Sequence, residues 1–249
     1  MDPQTPADQT PPERPVGIPV QPRWGLGDAV AGFVLAIVLA TVVGNLWLAA
    51  FGGSEDGLGA RTAGQVGLWA GLVGMAVLAS RRKGYGTLAT DFGFTARWSD
   101  LGVGVATAVG ASFVVVPVVA LALRPIFGHP DVSKPVHDLV EQASGPKALV
   151  LVLVAVVFAP LVEELFFRGL LLRSLQRRVG TGWAVALSSV FFGLAHPQPL
   201  KAGATVIVMA GLTSLAVILA LLAVRTGRLG ASIVAHAGFN AISLLFAYR

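Results

Sequence analysis

Long apolar segments alternate with short polar ones along most of the chain. This pattern predicts seven membrane-spanning helices, at about 28–51, 62–80, 101–123, 148–178, 183–196, 202–224 and 229–248. Most of these segments have the roughly 20 residues that a helix needs to cross a hydrocarbon core of about 30 Å. The predicted fold class is therefore an all-α, polytopic transmembrane helical bundle with a polar cavity. It has about seven spans, or eight if the fourth segment divides.

The first residues differ from the rest of the chain. Seven of the 15 prolines fall within the first 23 residues, where no apolar run occurs. Such a composition is typical of a disordered segment. We therefore predict a disordered, Pro-rich tail at 1–24 and an integral membrane domain at 25–249. Within that domain, Pro117 is expected to kink the third span, because proline cannot donate the helical hydrogen bond.

Composition and charge exclude several classes of protein. Hydrophobic residues make up 55% of the chain and charged residues only 12%, against about 25% in a soluble domain. The net charge of +5 lies in short clusters between apolar runs, which is typical of membrane orientation and not of nucleic-acid binding. Twelve of the 18 Lys and Arg fall on inner segments if the N-terminus is cytoplasmic, so we predict that topology in the cell membrane. Cysteine is absent, which excludes disulfides, thiolate metal sites and cysteine nucleophiles.

Two adjacent carboxylates interrupt the fourth apolar segment. Glu163 and Glu164 are the only acidic residues after Glu141, and an ionisable group at membrane depth costs about 3 kcal/mol or more unless it is paired. On a helix, Glu164 and Arg168 stand four residues apart on one face and are able to form an ion pair. Glu163 points about 100° away and has no local counter-ion. This asymmetry makes Glu163 a candidate for chemistry.

Three further polar side chains interrupt apolar spans near the C-terminus. His196 ends the fifth span, and Phe192, one turn earlier, is placed to cover its ring. His236 and Asn240 share one face of the seventh span, although an asparagine alone also serves as an interhelical hydrogen-bond donor. The least costly arrangement points all these groups, with Glu163, into one cavity. His129 and His137 lie in a polar connection and are predicted to be solvated.

The seven-span map raises a difficulty for a shared cavity. It puts Glu163 and His236 towards the inner side of the membrane and His196 at the outer end of its span. The three side chains meet only if the fifth segment begins deeper or the fourth is one long tilted helix.

Three motifs occur in a fixed order: EExxxR from Glu163 to Arg168, FxxxH from Phe192 to His196, and HxxxN from His236 to Asn240. In this order and spacing the chain resembles the CAAX-protease and bacteriocin-processing family of intramembrane endopeptidases. The resemblance covers a protease-like core at about 147–246. It implies a membrane-embedded, glutamic-type hydrolase whose polar cavity is catalytic.

The resemblance also implies roles for individual residues. Glu163 would be the general base and would activate a water molecule together with His196. His236 and Asn240 would donate hydrogen bonds to the developing oxyanion. The supporting residues Glu164, Arg168 and Phe192 would hold the site in shape. No cofactor is implied, and the partners are the lipid bilayer and a membrane-associated protein or peptide: a prenylated CAAX protein, a peptide precursor or a membrane regulator.

Two other functions stay open on the sequence alone. His196, His236 and Glu163 also form a set of zinc ligands used by metalloproteases, although the chain has no HExxH motif. A non-catalytic transporter or scaffold also keeps Glu and His at mid-membrane, but we see no inverted repeat. A GxGD string at 25–28 resembles intramembrane aspartyl proteases. It has no second intramembrane Asp, so we predict a helix cap there.

Overall fold

A computed structural model describes residues 21–55, 57–143, 145–196 and 200–248; most of the predicted tail at 1–24 lies outside these ranges. The described part of the chain is helical and has no strand. Its helices are α1 (Leu26–Phe51), α2 (Leu58–Lys83), α3 (Leu88–Phe92), α4 (Trp98–Phe127), α5 (Lys134–Gln142), α6 (Pro146–Leu194), α7 (Ala202–Thr226) and α8 (Gly230–Ala247). Six of them, all except α3 and α5, are long and apolar enough to cross a membrane. The predicted all-α transmembrane class is confirmed.

The predicted fourth and fifth spans lie together in α6, a stretch of 49 residues that reverses direction at Gly180. This glycine has φ of 76° and ψ of 169°, which no helical residue adopts. The rings of Phe167 and Phe192 are 4.9 Å apart, whereas a straight helix would separate these positions by about 37 Å. We call 146–179 the first arm and 181–194 the second arm of this helical hairpin.

The hairpin removes the difficulty in the sequence-based map. Glu163 lies seventeen residues before Gly180 and His196 sixteen residues after it, so both side chains lie at the same level of the bundle. The map was wrong to put them at different levels, because it placed Glu163 towards the inner side although seventeen residues separate it from the tip at Gly180.

Helices α1 and α2 approach each other closely through small residues. A Cβ atom on Gly67 or Gly71 would clash with the α1 backbone at Leu39 and Ala36 respectively. The two glycines are four residues apart and so lie on one face of α2. Small residues at this spacing let membrane helices pack backbone against backbone.

A polar layer at one end of the bundle ties several helices together. Asp91 of α3 is buried and accepts hydrogen bonds from the Trp24 indole (2.8 Å), the Ser80 hydroxyl (2.7 Å) and the backbone N–H of Tyr85 (3.0 Å). In the same layer the backbone N–H of Leu229 donates to the carbonyl of Gly93, at 2.8 Å. This end layer therefore fixes where α8 begins, six residues before His236.

Asp28, the acidic residue of the GxGD string, has a structural role at the start of α1. It is the third residue of the helix, and its carboxylate accepts from the backbone N–H of Gly25, at 2.9 Å. The ammonium group of Lys83 lies 2.7 Å from the same carboxylate. The prediction of a helix cap is confirmed.

Proline residues follow two π-helical turns. In α4 the turn is Ala111–Val115 and Pro117 comes two residues later; in α6 the turn is Leu153–Phe158 and Pro160 comes two residues later. At the end of each turn a backbone N–H reaches back five residues, which is the π-helical pattern. A π turn therefore lies directly before Pro117, the residue at which a kink was predicted.

Candidate active site

The two glutamates lie on the first arm, and both are buried. The carboxylate of Glu164 is fully buried, and its Oε1 accepts from the Arg168 guanidinium at 2.8 Å. The predicted pair between residues four apart is therefore present. Arg168 also donates to the carbonyl of Ala216 on α7, at 3.3 Å, and its guanidinium lies 4.5 Å from the centre of the Phe192 ring. A buried cation held by an ion pair, a carbonyl and an aromatic face is well compensated.

His236 completes the surroundings of Glu164. Its Nδ1 lies 3.0 Å from the Glu164 Oε1 atom that also accepts from Arg168. An ionised carboxylate only accepts hydrogen bonds. We therefore assign a proton to Nδ1 of His236, which donates it to Glu164. This contact was not predictable from local spacing, because the two residues are 72 positions apart.

Glu163 faces both histidines. Its Oε2 lies 3.4 Å from Nε2 of His196 and 3.9 Å from Nε2 of His236. Nδ1 of His196 is 2.7 Å from the carbonyl of Phe192, which only accepts, so this ring also carries its first proton on Nδ1. Each imidazole therefore turns its Nε2 towards the same carboxylate oxygen, Oε2 of Glu163.

Phe192 forms a wall beside both rings. Its ring centre is 4.4 Å from that of His196 and 5.7 Å from that of His236, and the residue is buried. Phe167 packs edge-on against its other side, at 4.9 Å. The polar groups thus have an apolar backing, which strengthens their electrostatic interactions with one another.

Asn240 lies one turn beyond His236 on α8, as predicted, but its amide contacts the first arm. Its Nδ2 donates to the carbonyl of Ala155 at 2.8 Å, which leaves one amide hydrogen for another acceptor. The structure therefore brings Glu163, Glu164, Arg168, Phe192, His196 and His236 into one cluster and joins Asn240 to the segment just before it.

Among the described residues of the cluster, His196 is the most exposed. The side chain of His196 is 28% exposed and that of Glu163 is 11% exposed, whereas Glu164 is fully buried. His236 is six residues after Gly230 on α8, so the site lies about 10 Å from the end layer. A reactant would therefore approach Glu163 from the side of His196. His129 and His137 are exposed and take no part in the cluster.

The geometry suits general acid–base chemistry. A carboxylate and an imidazole whose facing atoms are 3.4 Å apart are able to share one proton or to bind one water molecule between them. Among the described residues, no group of three or more His, Asp and Glu has the arrangement of a metal site.

Sequence reasoning missed two backbone acceptors that position the site, the carbonyls of Ala155 and Ala216. A backbone carbonyl has no signal in the residue type that carries it. The only indication in the sequence was Pro160, which has no N–H to donate to the carbonyl of Ala155.

Comparison with protein families gives one match. Residues 145–242 match the family model of the type II CAAX prenyl endopeptidases, Rce1-like. The matched range contains all seven site residues, and it confirms the resemblance inferred from the three motifs. Comparison with curated proteins and with solved structures gives no match.

Proposed function

We propose that this chain, whose residues 145–242 match the family model of the type II CAAX prenyl endopeptidases, Rce1-like, cleaves a peptide bond within the membrane. In this proposal Glu163 and His196 activate the attacking water molecule. The observation that carries this mechanism is the 3.4 Å contact between Glu163 Oε2 and His196 Nε2. The coarser assignment, a CAAX-type intramembrane endopeptidase, follows from the family.

The protonation states of Glu163 and His196 decide how the water molecule is activated. Because Nδ1 of His196 donates to Phe192, its Nε2 is free to accept, and an ionised Glu163 accepts as well. A water molecule that donates one hydrogen to each group turns its lone pairs outwards, towards the carbonyl carbon of the substrate. As its oxygen attacks, one proton passes to Glu163. That proton later goes to the leaving amine.

The developing oxyanion needs hydrogen-bond donors of its own. Asn240 has one amide hydrogen left after its bond to Ala155. His236 donates from Nε2 only when the ring is doubly protonated, because its first proton is held by Glu164. Glu164 stabilises that imidazolium, and so it supports the oxyanion through His236 as well as pairing with Arg168.

The substrate proposed is a membrane-associated protein or peptide that enters from the exposed side of His196. A prenylated CAAX protein is one class that the family suggests. The end layer carries most of the Lys and Arg of the chain, which supports the proposal that it faces the cytoplasm with the N-terminus.

Comparative proteomics tests this function directly. Membranes from cells that express the wild-type chain or Glu163→Ala are compared, and the proposal requires at least one cleaved product that is present only with the wild type. Transport of a solute that changes with Glu163→Ala, without any cleavage product, would favour a transporter instead.

A zinc peptidase is the alternative that the sequence leaves open, because a His, His and Glu set is used by zinc peptidases and Glu163 faces both histidines, although these described side chains do not have the arrangement of a metal site. Metal analysis separates the two mechanisms and is developed in the Discussion.

A further inference from the structure

The π turn before the glutamates leaves one backbone carbonyl without its helical donor. The N–H of Ala159 donates to the carbonyl of Val154, five residues back. The donor that would continue this register to Ala155 is residue 160, and Pro160 has no N–H. A carbonyl without a partner inside a membrane protein is costly, so it needs a donor from elsewhere.

Asn240 supplies that donor. Its Nδ2 lies 2.8 Å from the Ala155 oxygen, and only the NH₂ side of the amide is able to face a carbonyl. The bond joins α8 to the first arm two turns before Glu163. It also fixes the direction of the second amide hydrogen, because the amide group is planar.

We propose that Pro160 is a positioning residue for the oxyanion site. By removing one N–H from the first arm, it reserves the Ala155 carbonyl for Asn240 and so sets the orientation of the remaining Asn240 hydrogen. This inference rests on the proposed role of Asn240 as an oxyanion donor. The structural part of the inference is that an N–H at position 160 would compete with Asn240 for the Ala155 carbonyl. This part is independent of any activity.

The first experiment measures that structural part by thermal unfolding in detergent. Pro160→Ala restores an N–H that competes for Ala155, so the Asn240 bond should become dispensable. Asn240→Ala should lower the unfolding temperature in the wild-type background and lower it less in the Pro160→Ala background. Equal shifts in both backgrounds would show that Pro160 and Asn240 do not share the carbonyl, and would overturn the inference.

The second experiment measures catalysis on a quenched peptide identified from the cleaved product. Pro160→Ala should lower kcat by about 10- to 100-fold with KM nearly unchanged, since a displaced donor weakens only the transition state. In the Asn240→Ala background the same substitution should change kcat by no more than about twofold. A loss of the same size in both backgrounds would mean that Pro160 does not act through Asn240.

Pro117→Ala is the matched control, because Pro117 follows the same kind of π turn in α4, outside the cluster of site side chains. Its kcat should equal that of the wild type. If no variant, including the wild type, cleaves any peptide, the proposed function fails, whereas the unfolding experiment still decides whether Pro160 controls the Ala155 carbonyl.

Discussion

The Nδ1 atom of His236 lies 3.0 Å from the Oε1 atom of Glu164, although 72 residues separate them in the sequence. The same oxygen accepts from Arg168, so one carboxylate orients a histidine and neutralises an arginine. Glu164 is therefore more than the structural clamp that its spacing from Arg168 suggests. It links the first arm, which carries Glu163, to α8, which carries His236 and Asn240.

Glu164→Gln should destabilise the protein and also impair catalysis. The amide keeps one acceptor oxygen but loses the charge that balances buried Arg168, and breaking a buried ion pair costs about 3–5 kcal/mol. We expect a marked drop in the unfolding temperature measured in detergent. Glu141→Gln, at an exposed position on α5, is the control and should unfold as the wild type does. An unchanged unfolding temperature for Glu164→Gln would contradict the buried pair as a stabilising element.

Glu163→Gln should impair catalysis strongly and change stability little, in contrast to Glu164→Gln. It removes the general base, so kcat should fall by about 10² to 10⁴ while the unfolding temperature changes little. Activity is measured per folded protein by steady-state cleavage of a quenched peptide. If both glutamine variants lost stability equally, and activity followed only the folded fraction, the two glutamates would be a structural clamp.

Asn240→Ala should act on the transition state and not on substrate binding. We expect kcat to fall by about 10² to 10³ with KM little changed, because one oxyanion donor is lost. Asn240→Asp should be at least as harmful, since a carboxylate repels the developing negative charge. Steady-state kinetics decide the point: a raised KM with normal kcat would argue for a binding or transport role.

Removal of metal distinguishes the two water-activation mechanisms. With Glu163 and His196 acting directly, the purified enzyme should keep its activity after treatment with a chelator and dialysis. Elemental analysis accompanies the assay. One zinc per chain, with activity lost on its removal and restored on its addition, would make the enzyme a metallopeptidase.

The close contact between α1 and α2 gives a prediction independent of the site. Gly71→Ala would place a methyl group against the backbone of Ala36, so it should lower the unfolding temperature by forcing the helices apart. Gly74→Ala, three residues further along α2, meets no atom within 4 Å and is the control. Equal effects of the two substitutions would show that the contact adds nothing to stability.

Much of the fold follows from hydropathy, because a membrane permits little besides helices of spanning length. The spans at 28–51 and 202–224 match α1 and α7 within two residues at each end. The pair Glu164–Arg168 and the Phe192 wall beside His196 also follow, since helical spacing alone defines them. These predictions depend on local geometry.

Long-range features were not predictable in the same way. The interruption at Gly180 was predicted as the break between the fourth and fifth spans, but an apolar pattern does not show at which depth Glu163 and His196 lie on either side of it. The bond between His236 and Glu164, and the bond from Asn240 to Ala155, join helices far apart in sequence. Asn240 was expected to point at the reaction, whereas one of its two hydrogens is used to hold the first arm.

Glu163 and His196 lie at nearly equal distances along the chain from Gly180, and this limits how the chain is able to evolve. Insertion of one residue between Glu163 and the hairpin tip would rotate everything before it by about 100° and shift it by about 1.5 Å relative to His196. Such a change would turn the carboxylate away from the imidazole even though every motif residue stayed in place. Length differences among homologous enzymes should therefore concentrate at 180–182 and in the loops outside the hairpin.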